Sequence, residues 1–134
     1  MSAAVCLALV MWFEAGIEPP EGQIATGWAV VNAAATVHKR PWSVCREVRY
    51  SGRYMALRGK FGDGYTLAVY PHGARWMALK AVARDILSGK ITDPTGGAQF
   101  FECTRWRACK NPPDWAGNME LKGRFGSQMF WKLN

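Results

Sequence analysis

The stretch Met11-Trp12-Phe13-Glu14-Ala15-Gly16-Ile17-Glu18-Pro19-Pro20-Glu21-Gly22-Gln23-Ile24-Ala25 joins two helical patterns, and everything else is read outward from it. Upstream, Ser2 is a good N-cap, the residues from Ala3 onward are apolar helix formers, and Gly16 offers a left-handed stop. Glu14 then falls in the last turn of a first helix, where the partial negative charge of the helix end disfavours ionisation. Pro19-Pro20 breaks the chain, and Pro20-Glu21-Gly22-Gln23 starts a second helix with Ile24, Trp28, Val31 and Ala35 at helical spacing toward His38.

Further along, Pro41 introduces a short helical piece from Trp42 to Val48. Gly52, Gly59, Gly62 and Gly64 interrupt Tyr, Val and Leu between Arg49 and Tyr70, the composition of a small hairpin with irregular loops. From Gly73 the pattern is helical again, with Trp76, Leu79, Ala83 and Leu87 on one side and Gly89 as the stop. Asp93-Pro94-Thr95-Gly96-Gly97 is a turn, Ala98 to Cys103 reads as extended, and an aromatic stretch ends in Phe130-Trp131. The fold class expected is α+β, mainly α, with a small β-hairpin region. With 134 residues, 49% of them hydrophobic, and seven tryptophans, residues 1–134 are sized for a single domain whose core takes up most of the large aromatics.

Composition narrows function less. The net charge is +7, and Lys39, Arg40, Arg46, Arg49, Arg53, Arg58 and Lys60 face one acid, Glu47. Such a region attracts polyanions: an anionic cell envelope, teichoic acids or nucleic acid would all satisfy it, as would plain solvation. The apolar run from Ser2 to Phe13 has no Lys or Arg before it and is too short to span a bilayer, so it reads as a buried helix of the mature protein rather than a signal peptide. Of the four cysteines, Cys6 is most simply a small core residue, and Cys103 and Cys109 could close a short loop around Trp106. No CxxC spacing accompanies the two histidines, which argues against a zinc site.

Glu14 is the residue that points to chemistry. Cleaving a glycosidic bond needs a carboxylic acid still protonated near neutral pH, which an apolar, partly dry setting among Met11, Trp12, Phe13 and Ala15 would supply; an exposed helical glutamate is the plainer alternative. A second carboxylate would set the stereochemical outcome, and Glu18, Glu21, Asp63, Asp93 and Glu102 are the candidates, none marked out locally.

The segment Phe13 to Ala25, followed by Val30-Val31-Asn32, resembles the SleB-type cell wall hydrolases, whose hallmark is a Glu-Ala pair, then Gly-Glu-Pro, then Glu-Gly-Gln before a helix ending in Val-x-Asn. Later segments agree in order: Ser43-Val44-Cys45, Leu87-Ser88-Gly89, Asp93-Pro94-Thr95-Gly96-Gly97-Ala98, Pro113-Asp114-Trp115-Ala116 and a Gly-x-x-x-Phe ending at Phe130. The resemblance implies a lysozyme-like fold, one catalytic domain, and cleavage between N-acetylmuramic acid and N-acetylglucosamine by a lytic transglycosylase route in which Glu14 matches the family glutamate. Hydrolysis by a muramidase with a second carboxylate is the alternative. The chain departs from the family pattern at Ile17, where glycine is usual, at Ala33 in place of arginine, and at Gln99-Phe100-Phe101 in place of tyrosines.

On this reading Glu18, Glu21, Gln99, Phe100, Phe101 and Tyr54 are candidate substrate contacts, with Tyr70 as a weaker one and Asn32 as a structural residue that bonds backbone near the active-site loop. No metal and no organic cofactor is expected. The partner is the peptidoglycan glycan strand, with the basic region touching an anionic envelope surface; nucleic acid is not expected as a partner, nor a membrane span, and a monomer is the default. Action at the bacterial cell wall without a signal peptide looks like a bacteriophage endolysin or particle-associated lysin. The non-enzymatic rival is a nucleic-acid-binding module built on the region from Lys39 to Lys60.

Overall fold

The computed structural model describes residues 1–54, 57, 71–103 and 117–134, the side chain of Cys103 excepted. Four helices, α1 (Ala3–Ala15), α2 (Pro20–Thr36), α3 (Val44–Tyr50) and α4 (Ala74–Leu87), precede three strands, β1 (Phe100–Cys103), β2 (Met119–Phe125) and β3 (Gln128–Leu133). The strands form an antiparallel sheet in the order β1-β3-β2.

Helix α1 is the hub. Ser2 Oγ caps it by accepting from Val5 N at 3.2 Å, and Cys6, Leu7, Ala8, Leu9, Val10 and Met11 are fully buried in succession. A helix apolar on every side must be surrounded, and α2, α3 and α4 all pack on it. Helix α2 buries mostly small residues, Gly22, Ala25, Thr26, Gly27, Ala29, Val30, Ala33 and Ala34: Val30 joins the core around α1 and Gly27 lies against Met11, while Ala25 and Ala29 pack on Ala98 and Phe130. This corrects the stripe expected from Ile24, Trp28, Val31 and Ala35. Ala35 is exposed and the other three are only half-buried, because close approach to α1 on one side and to Ala98 and Phe130 on another favours the face with the least side chain. Trp28 instead works at the margin, donating Nε1 to Ile91 O at 3.1 Å.

In α4, Ile86 joins Trp76, Leu79 and Ala83 in the core and Leu87 turns outward. Helix α3 begins at Val44 rather than at Trp42, because Ser43 Oγ accepts from Arg46 N at 3.1 Å and fixes the start there. It continues through Arg49 and Tyr50, which the sequence places in the hairpin region; the rest of that region lies almost wholly outside the described residues. The hairpin that is described is the C-terminal one, β2–β3, closed by Gly126-Ser127 with Gly126 at φ +62°.

Cys6 is joined to Cys45, which staples α1 to α3 across a sequence separation of 39. Cys6 is thus half of a cross-link and not simply a core residue; in the chain-entropy account a loop of this size contributes about 4 kcal/mol. Cys109 and Trp106, invoked for the alternative loop, lie outside the described residues. The tryptophans divide: Trp76 and Trp131 are buried, while Trp12, Trp28 and Trp42 are half-buried.

Candidate active site

Glu14 stands in the last turn of α1, half-buried. The helix does not end on a left-handed glycine: Gly16 has φ −61° and ψ −26°. It is glycine for a different reason, since a Cβ there would lie 2.3 Å from Trp12 O. The carbonyls that an α-helix leaves unpaired at its C-terminus are taken up by side chains from three other elements. Gln128 of β3 donates Nε2 to Glu14 O at 3.1 Å, Arg75 of α4 donates to Gly16 O at 2.8 Å, and Gln23 of α2 reaches the same oxygen at 3.4 Å. Glu18 N donates to Ala15 O at 3.0 Å. The backbone under Glu14 is therefore held from several directions at once.

Beside it, Trp12 meets Trp76 edge-to-face at a centroid distance of 5.9 Å, and the Arg75 guanidinium lies 5.5 Å from the Trp12 ring. Ile17, at the place where the family pattern has glycine, is 77% exposed and adds an apolar side chain to the rim of the turn.

The other carboxylates fall into distinct roles. Glu18 is buried, and its Oε1 accepts from Ser127 N at 2.7 Å and Ser127 Oγ at 2.6 Å. It thereby latches the β2–β3 turn to the loop after α1; a Cβ on Gly126 would come within 2.9 Å of Glu18 Oε1. Glu21 is exposed in the first turn of α2, where the helix end favours a negative charge. Glu102 is half-buried on β1, and Asp63 lies outside the described residues.

Asp93 organises its own turn. Burial pushes its carboxyl up, but donation from Thr95 Oγ1, Asn32 Nδ2 and the backbone N–H groups of Thr95 and Gly97 outweighs this and holds it below the ordinary carboxylate value. Those bonds run from 2.7 to 2.9 Å. Asn32 donates as well to Ala98 O at 2.9 Å, so it fastens the turn to α2; it bonds backbone as expected, but at this turn and not at the loop after α1.

Gln99 and its neighbours separate in the same way. The buried Gln99 side chain donates to Thr36 Oγ1 at 2.6 Å and accepts from Leu133 N at 2.9 Å, which uses both ends of the amide between α2 and β3. Phe100 lies under the Arg53 guanidinium at 4.0 Å. Phe101, on the opposite face of β1, packs on Phe130 and stacks against Tyr54, with centroid distances of 5.9 and 6.3 Å. Tyr54 is 5% exposed, and Tyr70 lies outside the described residues.

Sequence reasoning missed a buried polar cluster behind Glu14. Glu47 is fully buried; its Oε1 accepts from His38 Nε2 at 2.8 Å and lies 3.6 Å from Arg53 Nη1. His38 stacks on Trp42 at 3.5 Å, and the Arg46 guanidinium lies 4.4 Å from the Trp42 ring centroid. Arg53 also donates to Gln99 O at 2.6 Å. The basic stretch is thus not one solvated surface: Arg53 points inward and Arg46 lies along an aromatic ring. The signal available was Glu47 itself, a lone acid amid cations. Among the described residues, no helix is long and apolar enough to cross a membrane, and no group of His, Cys, Asp and Glu is placed to hold a metal ion.

No family model and no curated protein matches the chain. Solved structures do. The catalytic domain of the Bacillus cereus SleB protein superposes with a TM-score of 0.71 at 20% identity, over 97% of this chain and 89% of that one. The catalytic domain of the germination-specific lytic transglycosylase SleB from Bacillus anthracis gives 0.68 at 19% identity, over 98% and 96%. The chain has the lysozyme-like fold of these domains, mainly helical with a small antiparallel sheet.

Proposed function

We propose that residues 1–134 form one catalytic domain that degrades peptidoglycan by cutting its glycan strands between N-acetylmuramic acid and N-acetylglucosamine, with Glu14 as the acid and then the base. The observation that carries this is the position of Glu14: half-buried, at the C-terminal turn of the central helix, on backbone anchored by Gln128, Arg75 and Gln23. An acid must be held within a fraction of an ångström of the bridging oxygen to protonate it well, and a clamped helix end provides that.

Glu14 gives its proton to the glycosidic oxygen as the muramic acid ring flattens toward an oxocarbenium ion, then withdraws a proton from the incoming nucleophile. We favour the sugar's own C6 hydroxyl as that nucleophile, giving a 1,6-anhydro product. The disposition of the other carboxylates supports this: Glu18 is bound to Ser127, Asp93 is bound within its turn, and Glu47 is sealed from solvent. An acid committed to holding the fold is poorly placed to activate a water.

The same geometry moves Glu18 and Gln99 from substrate contact to framework in our reading. Glu21 and the exposed Ile17 are left as candidates for the sugar side of the turn. The basic stretch supports contact with an anionic envelope through Lys39, Arg40 and Arg46, which are exposed, more than a nucleic-acid groove.

Glu14→Gln is expected to lower turnover of purified peptidoglycan by at least a factor of about 100, in line with general acid catalysis, while urea unfolding and wall binding stay as in the wild type. Residual activity above about a tenth would overturn the assignment. Mass spectrometry of the products decides the route: anhydro-muramic ends mark a transglycosylase and reducing ends a muramidase.

A further inference from the structure

Two side chains from different helices meet on one carbonyl just past Glu14. Arg75, in the first turn of α4, donates Nη2 to Gly16 O at 2.8 Å, and Gln23, near the start of α2, reaches the same oxygen with Nε2 at 3.4 Å. Their polar ends therefore lie beside each other at the turn that carries Glu14. Satisfying a carbonyl at a helix end takes one donor. A guanidinium has five N–H groups in a fixed fork, so this bond leaves most of Arg75 unused.

Among the described residues nothing takes up the rest. Arg75 is exposed, the first turn of α4 holds no acid, and no carboxylate among the described residues pairs with it. It is held in place all the same. Its guanidinium lies 5.5 Å from the Trp12 ring, and Trp76 braces that ring edge-to-face at 5.9 Å. An exposed cation ordinarily keeps many rotamers and loses entropy when a ligand fixes one; the Gly16 and Trp12 contacts fix this one beforehand. The result is a preorganised, uncompensated cation on the turn of the proposed acid.

We propose that Arg75, with Gln23 beside it, binds a carboxylate on the lactyl side of the muramic acid residue and so selects that sugar for cleavage. This rests on the reading of the chain as a peptidoglycan-cutting enzyme with Glu14 as its acid. Of the two sugars that alternate along the strand, N-acetylglucosamine is neutral, whereas muramic acid bears a lactyl group at O3. The lactyl carboxyl is free in a stripped strand. In a peptide-bearing strand it is amide-linked, and acidic residues of the stem peptide supply the charge instead. Either way the charge stands off one kind of sugar only. A planar fork meets a carboxylate through two parallel N–H···O bonds, which an ammonium cannot do, and the Gln23 amide has a further N–H to add.

A role confined to holding the turn has a different signature. An arginine that only bonds Gly16 O shapes the site for every substrate alike, whereas one that reads a carboxylate discriminates between substrates that differ in that group.

The experiment compares kcat/KM for wild type, Arg75→Gln and Arg75→Lys on three soluble glycan oligomers of equal length: one with free lactyl carboxylates, one with those groups capped as neutral methylamides, and one with acidic stem peptides. Circular dichroism checks folding. Wild type is expected to prefer a charged oligomer to the methylamide by about tenfold, the size of one charge-assisted contact. Arg75→Gln should erase that preference, chiefly through KM, and Arg75→Lys, which keeps the charge without the fork, should retain part of it. A preference for the free acid assigns the lactyl carboxylate; one confined to the peptide-bearing oligomer assigns the stem peptide. Equal losses on all three oligomers overturn the proposal and leave Arg75 a cap. A wild type indifferent to the charge overturns it too, even where Arg75→Gln fails to fold. If wild type cuts none of the three, or Glu14→Gln remains active, the reading of the site fails instead.

Discussion

The turn after α1 and the turn from Asp93 to Ala98 are both dense in residues with turn and motif character, and they use them oppositely. In the second turn the polar groups gather on one carboxylate: Asp93 accepts from Thr95, Gly97 and, from α2, Asn32, Thr95 Oγ1 accepts from Ala98 N, and Asn32 also donates to Ala98 O. In the first, the backbone is held by side chains arriving from α2, α4 and β3, and Glu14 is half-buried. The second turn is organised around one carboxylate; the first takes its shape from side chains supplied by other elements.

Substitutions in the two turns should separate stability from turnover. The largest stability effect is expected for Asp93→Ala, which strands the donors of Thr95, Gly97 and Asn32 and costs about 3 kcal/mol in urea unfolding at neutral pH, with activity per folded molecule retained. Because the Asp93 carboxyl is held below its ordinary value in the fold, its contribution is complete above the unfolded pKa. It is lost as pH falls through the lower folded value, so wild type and variant should converge in acid. A gap that persists there would show the bonds do not depend on the charge. Next comes Gly16→Ala, whose Cβ must displace the Trp12 carbonyl. We expect a loss of about 2 kcal/mol together with a drop in kcat larger than that of Asp93→Ala; a fully active variant would mean the helix end need not be held so tightly. Smallest is Glu18→Gln, which keeps an acceptor for Ser127 but loses its charge, for about 1 kcal/mol and unchanged turnover. Collapse of activity in a stable Glu18→Gln protein would return that residue to the substrate.

The same contrast explains what could be read in the sequence. Local signals were sufficient for α1 and its Ser2 cap, for α2 from Pro20, for the stop after Leu87 and for the extended stretch into β1, because each depends on residues within one or two turns. Asn32 does bond backbone, as expected, but at Ala98 in the Asp93–Ala98 turn rather than at the loop after α1. Long-range pairings were not legible. Gln128 lies 114 residues from the carbonyl it caps, Glu18 lies 109 from Ser127, and Cys6 bonds Cys45 rather than standing alone. No periodicity encodes such partners. Gln128 did carry a faint mark, an amide at the head of the apolar run Met129-Phe130-Trp131. The stripe misjudged in α2 failed for a physical reason: large apolar residues were assumed to point inward, whereas the close helix crossing selected Ala and Gly.

The strand order β1-β3-β2 bears on how the molecule is assembled. Among the described residues β1 and β2 each pair with β3. The β2–β3 hairpin closes over two residues and needs little loop entropy, whereas β1 must wait for a strand some 25 positions farther along, and α1 for Gln128 farther still. Local contacts of this kind form quickly and distant ones slowly. The hairpin brings Ser127 to Glu18 and Gln128 to Glu14 O together, so the turn after α1 has its held shape only once the C-terminal hairpin is docked on it.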